Sequence, residues 1–352
     1  MRRRTWAGVV AVVLVVGMAV LAATEPVPYV TFTPGPTVNV LGKYEKDDII
    51  TVAGHKTYKD DGGLHLTTVV PSGPDEKISI PQLVSAWVDP DRDVYPYRAI
   101  YPKTATQKSV REESSAEMVS SKDSAVAAAM RALDIPFEDA VKISDVTKGG
   151  PADGKLKAGD QVLSVNGRKV TGLEQLTGII RPLPVGTDIT VKVKRGGKEL
   201  QKEMTTASSP DDKSASAVRV AIGPGFEFPF DVKLNIAENI GGPSGGLMFA
   251  LGIYDVLTPG SLTDDKVIAG TGEIDAEGKV GPIGGIHQKL VGAQDDGAKL
   301  FLVPAGNCAE ALGGNYDPDK MRLVKVTTME QALGEVQAWV KDHDAKLARC
   351  TR

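Results

Sequence analysis

The sequence predicts an α+β multidomain protein, and three observations carry that prediction. An apolar run from Trp6 to Ala23 follows Arg2, Arg3 and Arg4 and reads as an N-terminal transmembrane helix. Short alternating segments closed by Pro, Gly and Asn recur from Tyr29 to Arg195 and read as strands and hairpins. A continuous apolar stretch from Gly245 to Leu257 carries Leu247, Ala250, Leu251 and Tyr254 at helical spacing and reads as a buried helix.

Residues 1–24 are expected to form a cytoplasmic Arg cluster and an uncleaved signal anchor. The arginines hold the N-terminus inside and place the bulk of the chain outside. Leu21-Ala-Ala23 also resembles a signal-peptidase site, so cleavage and secretion stay open as the alternative. The chain of 352 residues has room for two or three domains, and 41% hydrophobic with 24% charged residues is ordinary for a globular protein. The formal charge is −4 although three arginines crowd the first four positions, so the exported body is more acidic still. That balance argues against a nucleic-acid partner. Only Cys308 and Cys350 are present, and an oxidising compartment would allow a disulfide between them.

Residues 25–115 read as a small β-rich extracytoplasmic module. Tyr29 to Val40 predicts strand, turn and strand around Pro34-Gly-Pro36, and Gly63 to Val70 predicts a further strand. His55 and His65 lack acid or cysteine neighbours at ligand spacing, so neither a metal nor another cofactor is expected. Lys46 to Asp48 and Lys59 to Asp61 read as solvated turns.

Asp123 is a candidate cap for a helix through Ala125 to Leu133. A strand from Gln161 to Val165 closed by Asn166-Gly167 is a strong hairpin signal. This stretch, with Gly150-Pro-Ala152, Ala158-Gly-Asp160 and Val165-Asn-Gly167, resembles a PDZ domain over residues 124–206. The resemblance implies capture of an extended polypeptide, often a C-terminus, on a sheet edge. It makes Val141, Ile143, Leu173 and Leu176 the candidate peptide contacts. The polar run 207–216 reads as a linker.

The chemistry concentrates in residues 217–352. Ser244 sits in Gly241-Gly-Pro-Ser-Gly-Gly246 and Lys289 in Gly284-Gly-Ile-His-Gln-Lys289. A serine hydroxyl attacks only when a neighbour takes its proton, and lysine takes it only when neutral. Apolar surroundings lower the lysine pKa, and the nearest acid after Lys289 is Asp295. Three other readings of these residues stay open: Ser244 as a plain N-cap, Gly242-Pro-Ser-Gly-Gly246 as a hydrolase elbow, and His287 as the base. His287 and Lys289 point ~200° apart on a helix, so only one of them can face Ser244.

Val218 to Val340 resembles the proteolytic domain of Lon proteases. The matching pieces are Gly242-Pro-Ser-Gly245, Thr271-Gly-Glu-Ile274 and Gly284-Gly-Ile-His-Gln-Lys289, in family order. The resemblance implies Ser244 as nucleophile and Lys289 as general base. It also implies support of the oxyanion or the dyad from Gly242, Gly245 and Thr271, and assembly into a homo-oligomer, a hexameric ring. Gly241 departs from the family's Asp, and Gly245 from its Ala. No G-x-x-x-x-G-K-[ST] occurs in these residues. The order of anchor, N-terminal module, PDZ domain and Lon-type domain resembles that of bacterial membrane-anchored PDZ–Lon proteins. It implies an ATP-independent serine endopeptidase acting on membrane-associated or extracytoplasmic proteins. The rivals are a catalytically weak PDZ scaffold and an esterase using Ser244 with His287 or His343.

Overall fold

The strand Gly63–Pro71 lies parallel to Val267–Gly270, so residues some two hundred positions apart share one sheet. The computed structural model describes residues 2–59, 62–236 and 240–351. Along them run α1 (Arg2–Thr24), β1 (Pro26–Val27), β2 (Tyr29–Asn39), β3 (Gly63–Pro71), β4 (Ile78–Ser79), α2 (Ile80–Val88), β5 (Asp93–Pro96) and α3 (Gln107–Ala132). Then follow β6 (Glu138–Val146), β7 (Gln161–Val165), α4 (Leu173–Ile180), β8 (Asp188–Arg195), β9 (Lys198–Thr205) and β10 (Val220–Glu227). Last come α5 (Gly246–Leu257), β11 (Val267–Gly270), α6 (Ile286–Asp295), β12 (Leu300–Pro304), β13 (Arg322–Val326) and α7 (Met329–Lys341).

The chain folds as two compact units. One comprises Met1–Thr51, Lys56–Ala125 and Lys233–Arg352, and the other Val52–His55 and Val126–Val232. The first is built on a six-stranded sheet in the order β13-β12-β11-β3-β2-β5. Its β13, β12, β11 and β3 run parallel, and β2 and β5 are antiparallel additions. Leu64, Leu66, Ile268, Phe301 and Val324 are buried within it. The separate N-terminal module expected over 25–115 is therefore absent: β2, β3 and β5 belong to the same sheet as the C-terminal strands. Pairing at that distance leaves no local sequence signal, because the segment containing β6 to β10 intervenes. Pro34-Gly-Pro36 also differs from expectation: β2 runs through it with a register shift between Pro34 and Thr37 rather than turning.

The second unit holds a sheet in the order β9-β8-β7-β6-β10, with Arg168–Lys169 added to β7. Asn166 and Gly167 both take positive φ, 49° and 77°, as the two-residue hairpin between them requires. Its core gathers Val141, Ile143, Leu156, Val162, Leu176 and Val191 among others. Residues 207–216 do not form a free linker, since Ala207–Ser208 pairs with Ser216–Ala217 and Ser216 is buried. Beyond them β10 joins the PDZ-region sheet, because Val218, Val220 and Ile222 pack on its core. The helix expected from Asp123 instead begins at Gln107, with Asp123 in its interior. Its serines and acids hid that first half from an apolar-period reading.

α1 is 23 residues long, and its large apolar side chains from Trp6 to Leu21 are each more than half exposed. The predicted transmembrane helix is not found as such: among the described residues no helix is long and apolar enough to cross a membrane. Of the two predicted turns, Lys46 to Asp48 is described, and Asp60 and Asp61 lie outside the described residues.

Candidate active site

Pro243–Gly245 forms a single 3-10 turn that leads into α5. Proline suits the first position of such a turn, where its missing N–H is not needed. Ser244 lies inside that turn and is not its cap, a place that Gly242 takes. Its Oγ lies 2.8 Å from Lys289 Nζ. α6 carries Lys289 and starts after Gly285, whose φ is 69°. A Cβ at Gly285 would also come within 2.7 Å of Val69 Cγ1, so only glycine brings α6 this close to β3.

Lys289 is 1% exposed. Its Nζ reaches three oxygens: Ser244 Oγ, Thr271 Oγ1 at 3.0 Å and the Thr67 carbonyl at 3.0 Å. The β3–β11 register ends at Leu66 opposite Gly270, and Thr67 is the next residue along β3. Among the described residues no carboxylate balances the amine, and burial pushes the Lys289 pKa down to about 7. Thr271 Oγ1 donates to the Ser244 carbonyl at 3.0 Å, so it meets Lys289 as an acceptor. A neutral lysine has two N–H donors and one lone pair. The donors match Thr67 O and Thr271 Oγ1, and the lone pair remains for the Ser244 hydroxyl proton.

α3 braces the serine loop from outside. Ser121 Oγ donates to the Pro243 carbonyl at 2.9 Å, and the Gly242 N–H donates to the Ser114 carbonyl at 3.0 Å. Gly242 is thus spent as an oxyanion donor, a correction to its expected role. The Ser244 and Gly245 N–H groups, at the start of the turn, are the ones that helix geometry leaves free. A Cβ at Gly241 would lie 2.5 Å from Ser114 Oγ, which accounts for glycine there. The surrounding cleft, about 450 Å³, is lined by Val69, Val70, Met118, Glu273 and Ile283 together with Ser244 and Lys289. Asn239, just before the loop, lies outside the described residues.

His287 faces away from Ser244. Its Nδ1 lies 3.2 Å from an Asp93 carboxylate oxygen and its Nε2 3.0 Å from the Glu310 carbonyl oxygen. The hydrogen bond to Asp93 raises its pKa. His343 stacks near Trp339, with ring centres 4.8 Å apart. Sequence reasoning assigned no role in the site to Thr67, Ser114 or Ser121. Cys308 and Cys350 are joined, with Cα atoms 5.0 Å apart.

The peptide contacts expected in the PDZ region need correction. Val141, Ile143 and Leu176 are sealed in its core. β10 pairs antiparallel along the outer edge of β6, from Val220 opposite Val146 to Glu227 opposite Glu138. An incoming peptide therefore finds that edge taken. Leu173, at the start of α4, stays 38% exposed.

Two segments of the chain match known families. Residues 231–336 match the family Lon protease (S16) C-terminal proteolytic domain, and residues 116–206 match the PDZ domain family. Lon protease 2 of Bacillus subtilis is 26% identical over 189 residues, covering 53% of this chain and 31% of that protein. The Lon protease of Azorhizobium caulinodans is 33% identical over 189 residues, covering 51% of this chain and 21% of that protein. The chain thus spans about a third or less of the length of these relatives. Among solved structures, the PDZ domain of an SdrC-like protein from Listeria monocytogenes is 19% identical. It covers 23% of this chain and 85% of that one, with a TM-score of 0.22. The segment that carries Ser244 and Lys289 is thus similar to the proteolytic domain of Lon serine peptidases, and the segment before it to PDZ domains.

Proposed function

We propose that the protein is an ATP-independent serine endopeptidase working through a Ser244–Lys289 dyad. The observation that carries this reading is a buried lysine, 2.8 Å from a serine hydroxyl and with no acid partner among the described residues. Neutral Lys289 takes the Ser244 proton as Oγ attacks a peptide carbonyl carbon. The Ser244 and Gly245 N–H groups receive the oxyanion. Lys289 then passes the proton to the leaving amine, and the acyl-enzyme forms. Water, deprotonated by Lys289, attacks the ester carbonyl, and Ser244 recovers its proton as the acid product leaves.

The substrates are unfolded or locally extended polypeptides, since Ser244 and Lys289 lie in a cleft. The PDZ domain assists their capture along the outer edge of β10, the end strand of its sheet, beside the exposed Leu173. The Arg cluster and the exposed apolar side chains of α1 support attachment to the cytoplasmic membrane, with the bulk outside. Assembly into a ring follows from likeness to Lon proteases.

The test incubates the full chain in detergent, wild type beside Ser244→Ala, with casein, and follows fragments by mass spectrometry. Fragments from the wild type alone are expected. Equal cleavage by both would overturn Ser244 as nucleophile, and cleavage by neither would overturn the reading in favour of a scaffold.

A further inference from the structure

α2 is a nine-residue helix, Ile-Pro-Gln-Leu-Val-Ser-Ala-Trp-Val, without a single charge. A capping box of Ser79 and Gln82 closes its start, with the Ser79 N–H donating to Gln82 Oε1 at 2.8 Å. Ala86 is buried against the fold. Ile80, Val84, Trp87 and Val88 point the other way and are 40%, 48%, 79% and 77% exposed. Their spacing of four, seven and eight residues puts them on one face. Single exposed apolar residues are ordinary, but a contiguous group headed by a nearly bare tryptophan marks an interaction surface.

Its location identifies what covers it. β1 begins two residues after α1 ends, and it pairs with β4, Pro26 opposite Ser79. β4 runs directly into α2, so α2 starts beside the exit of α1. α1 packs on both α2 and β4. The apolar surface of α1 and the apolar face of α2 are therefore neighbours. A second protein copy is a poor occupant: a helix ~14 Å long offers far less than the ~800 Å² per partner that a stable interface buries. A bilayer surface has no such threshold when a tether already holds the chain there.

We propose that α2 is an interfacial helix whose Ile80–Val84–Trp87–Val88 face lies in the headgroup–acyl boundary of a lipid bilayer. The aliphatic side chains enter the acyl region, and the Trp87 indole N–H donates to lipid ester carbonyls at the boundary. This rests on the membrane attachment proposed above. It adds a second contact that fixes the height and tilt of the peptidase unit over the membrane.

The test uses the full chain carrying Trp6→Phe in phosphatidylcholine–phosphatidylglycerol vesicles. The same protein with Trp87→Phe added serves for subtraction, because Trp339 is buried. Trp87 emission is expected to shift to the blue, to lose most of its intensity to lipids brominated on their acyl chains, and to resist aqueous iodide. Co-flotation with the vesicles is scored separately. A protein that co-floats while its Trp87 is quenched by iodide and not by bromine overturns the interfacial helix alone. A Trp87 shielded from both quenchers places protein on this face and also overturns it. A protein that does not co-float overturns the attachment and this proposal together.

Discussion

The Lys289 amine is 3.0 Å from the carbonyl oxygen of Thr67, a residue 222 positions earlier in the sequence. The base proposed for Ser244 is thus oriented by a strand of the N-terminal third of the chain. One N–H held by Thr67 and another by Thr271 leave the lone pair facing Ser244. Removing either partner frees the amine to rotate.

Lys289→Met should abolish turnover and raise stability. The folded-state pKa of about 7 lies below the ordinary 10.5. The unfolded chain therefore binds more protons between these values, and stability from this group rises with pH across that window. At neutral pH the buried amine costs ~4 kcal/mol, which methionine removes. Chemical denaturation of the two proteins at pH 7 checks the direction. A less stable Lys289→Met would contradict it.

Thr271→Val keeps the shape and removes both an acceptor for Lys289 and a donor to the Ser244 carbonyl. A loss of ~2–3 kcal/mol in the transition state corresponds to a fall of ~30–150-fold in kcat, with KM little changed. Steady-state kinetics on a fluorogenic peptide reads both constants.

Ser121→Ala removes the hydrogen bond to the Pro243 carbonyl, one residue before the nucleophile. The turn carrying the Ser244 and Gly245 N–H groups then loses a brace. A fall of ~10-fold in kcat is expected, with the pH profile unmoved, because Lys289 is untouched. A shifted profile would show that Ser121 acts on the base instead.

Gly245→Ala should be tolerated and Gly246→Ala should not. A Cβ at Gly245 meets Phe249 at 3.2 Å and Leu66 at 3.4 Å, side chains that can give slightly. At Gly246 it meets Ser121 Oγ at 2.8 Å and the Ile274 backbone nitrogen at 3.2 Å. Thermal unfolding should place Gly246→Ala ~1–3 kcal/mol below wild type and Gly245→Ala within ~1 kcal/mol of it.

Breaking the Cys308–Cys350 bond should destabilise the peptidase unit by ~2–4 kcal/mol, since it closes a loop with a sequence separation of 42. Denaturation of Cys350→Ser against wild type, without reductant, measures it.

What the sequence made legible follows the range of the interaction. Ser244, Thr271 and Lys289 stood in short motifs whose glycines and prolines have local geometric jobs, and the Asn166-Gly167 hairpin likewise announced itself. Thr67, Ser114 and Ser121 did not, because each acts through a backbone carbonyl or one hydroxyl that any residue sequence around it could supply. The placement of β2, β3 and β5 beside β11 was hidden by the interruption of the first unit's chain. β10 was assigned to the wrong unit because an alternating Val218, Val220, Ile222 segment reads the same on either sheet. The buried Val141 and Ile143 looked like groove residues for a related reason: alternation gives a face, and only the neighbouring strand says whether that edge is open.

The measurement that tests the dyad most directly is the rate at which a fluorophosphonate labels the protein, followed by intact mass from pH 5 to 9. Labelling at Ser244 alone is expected, with a rate that rises through one ionisation near the Lys289 value of about 7 and vanishes in Lys289→Met. A rate independent of pH, or labelling that survives in Lys289→Met, would contradict lysine as the base.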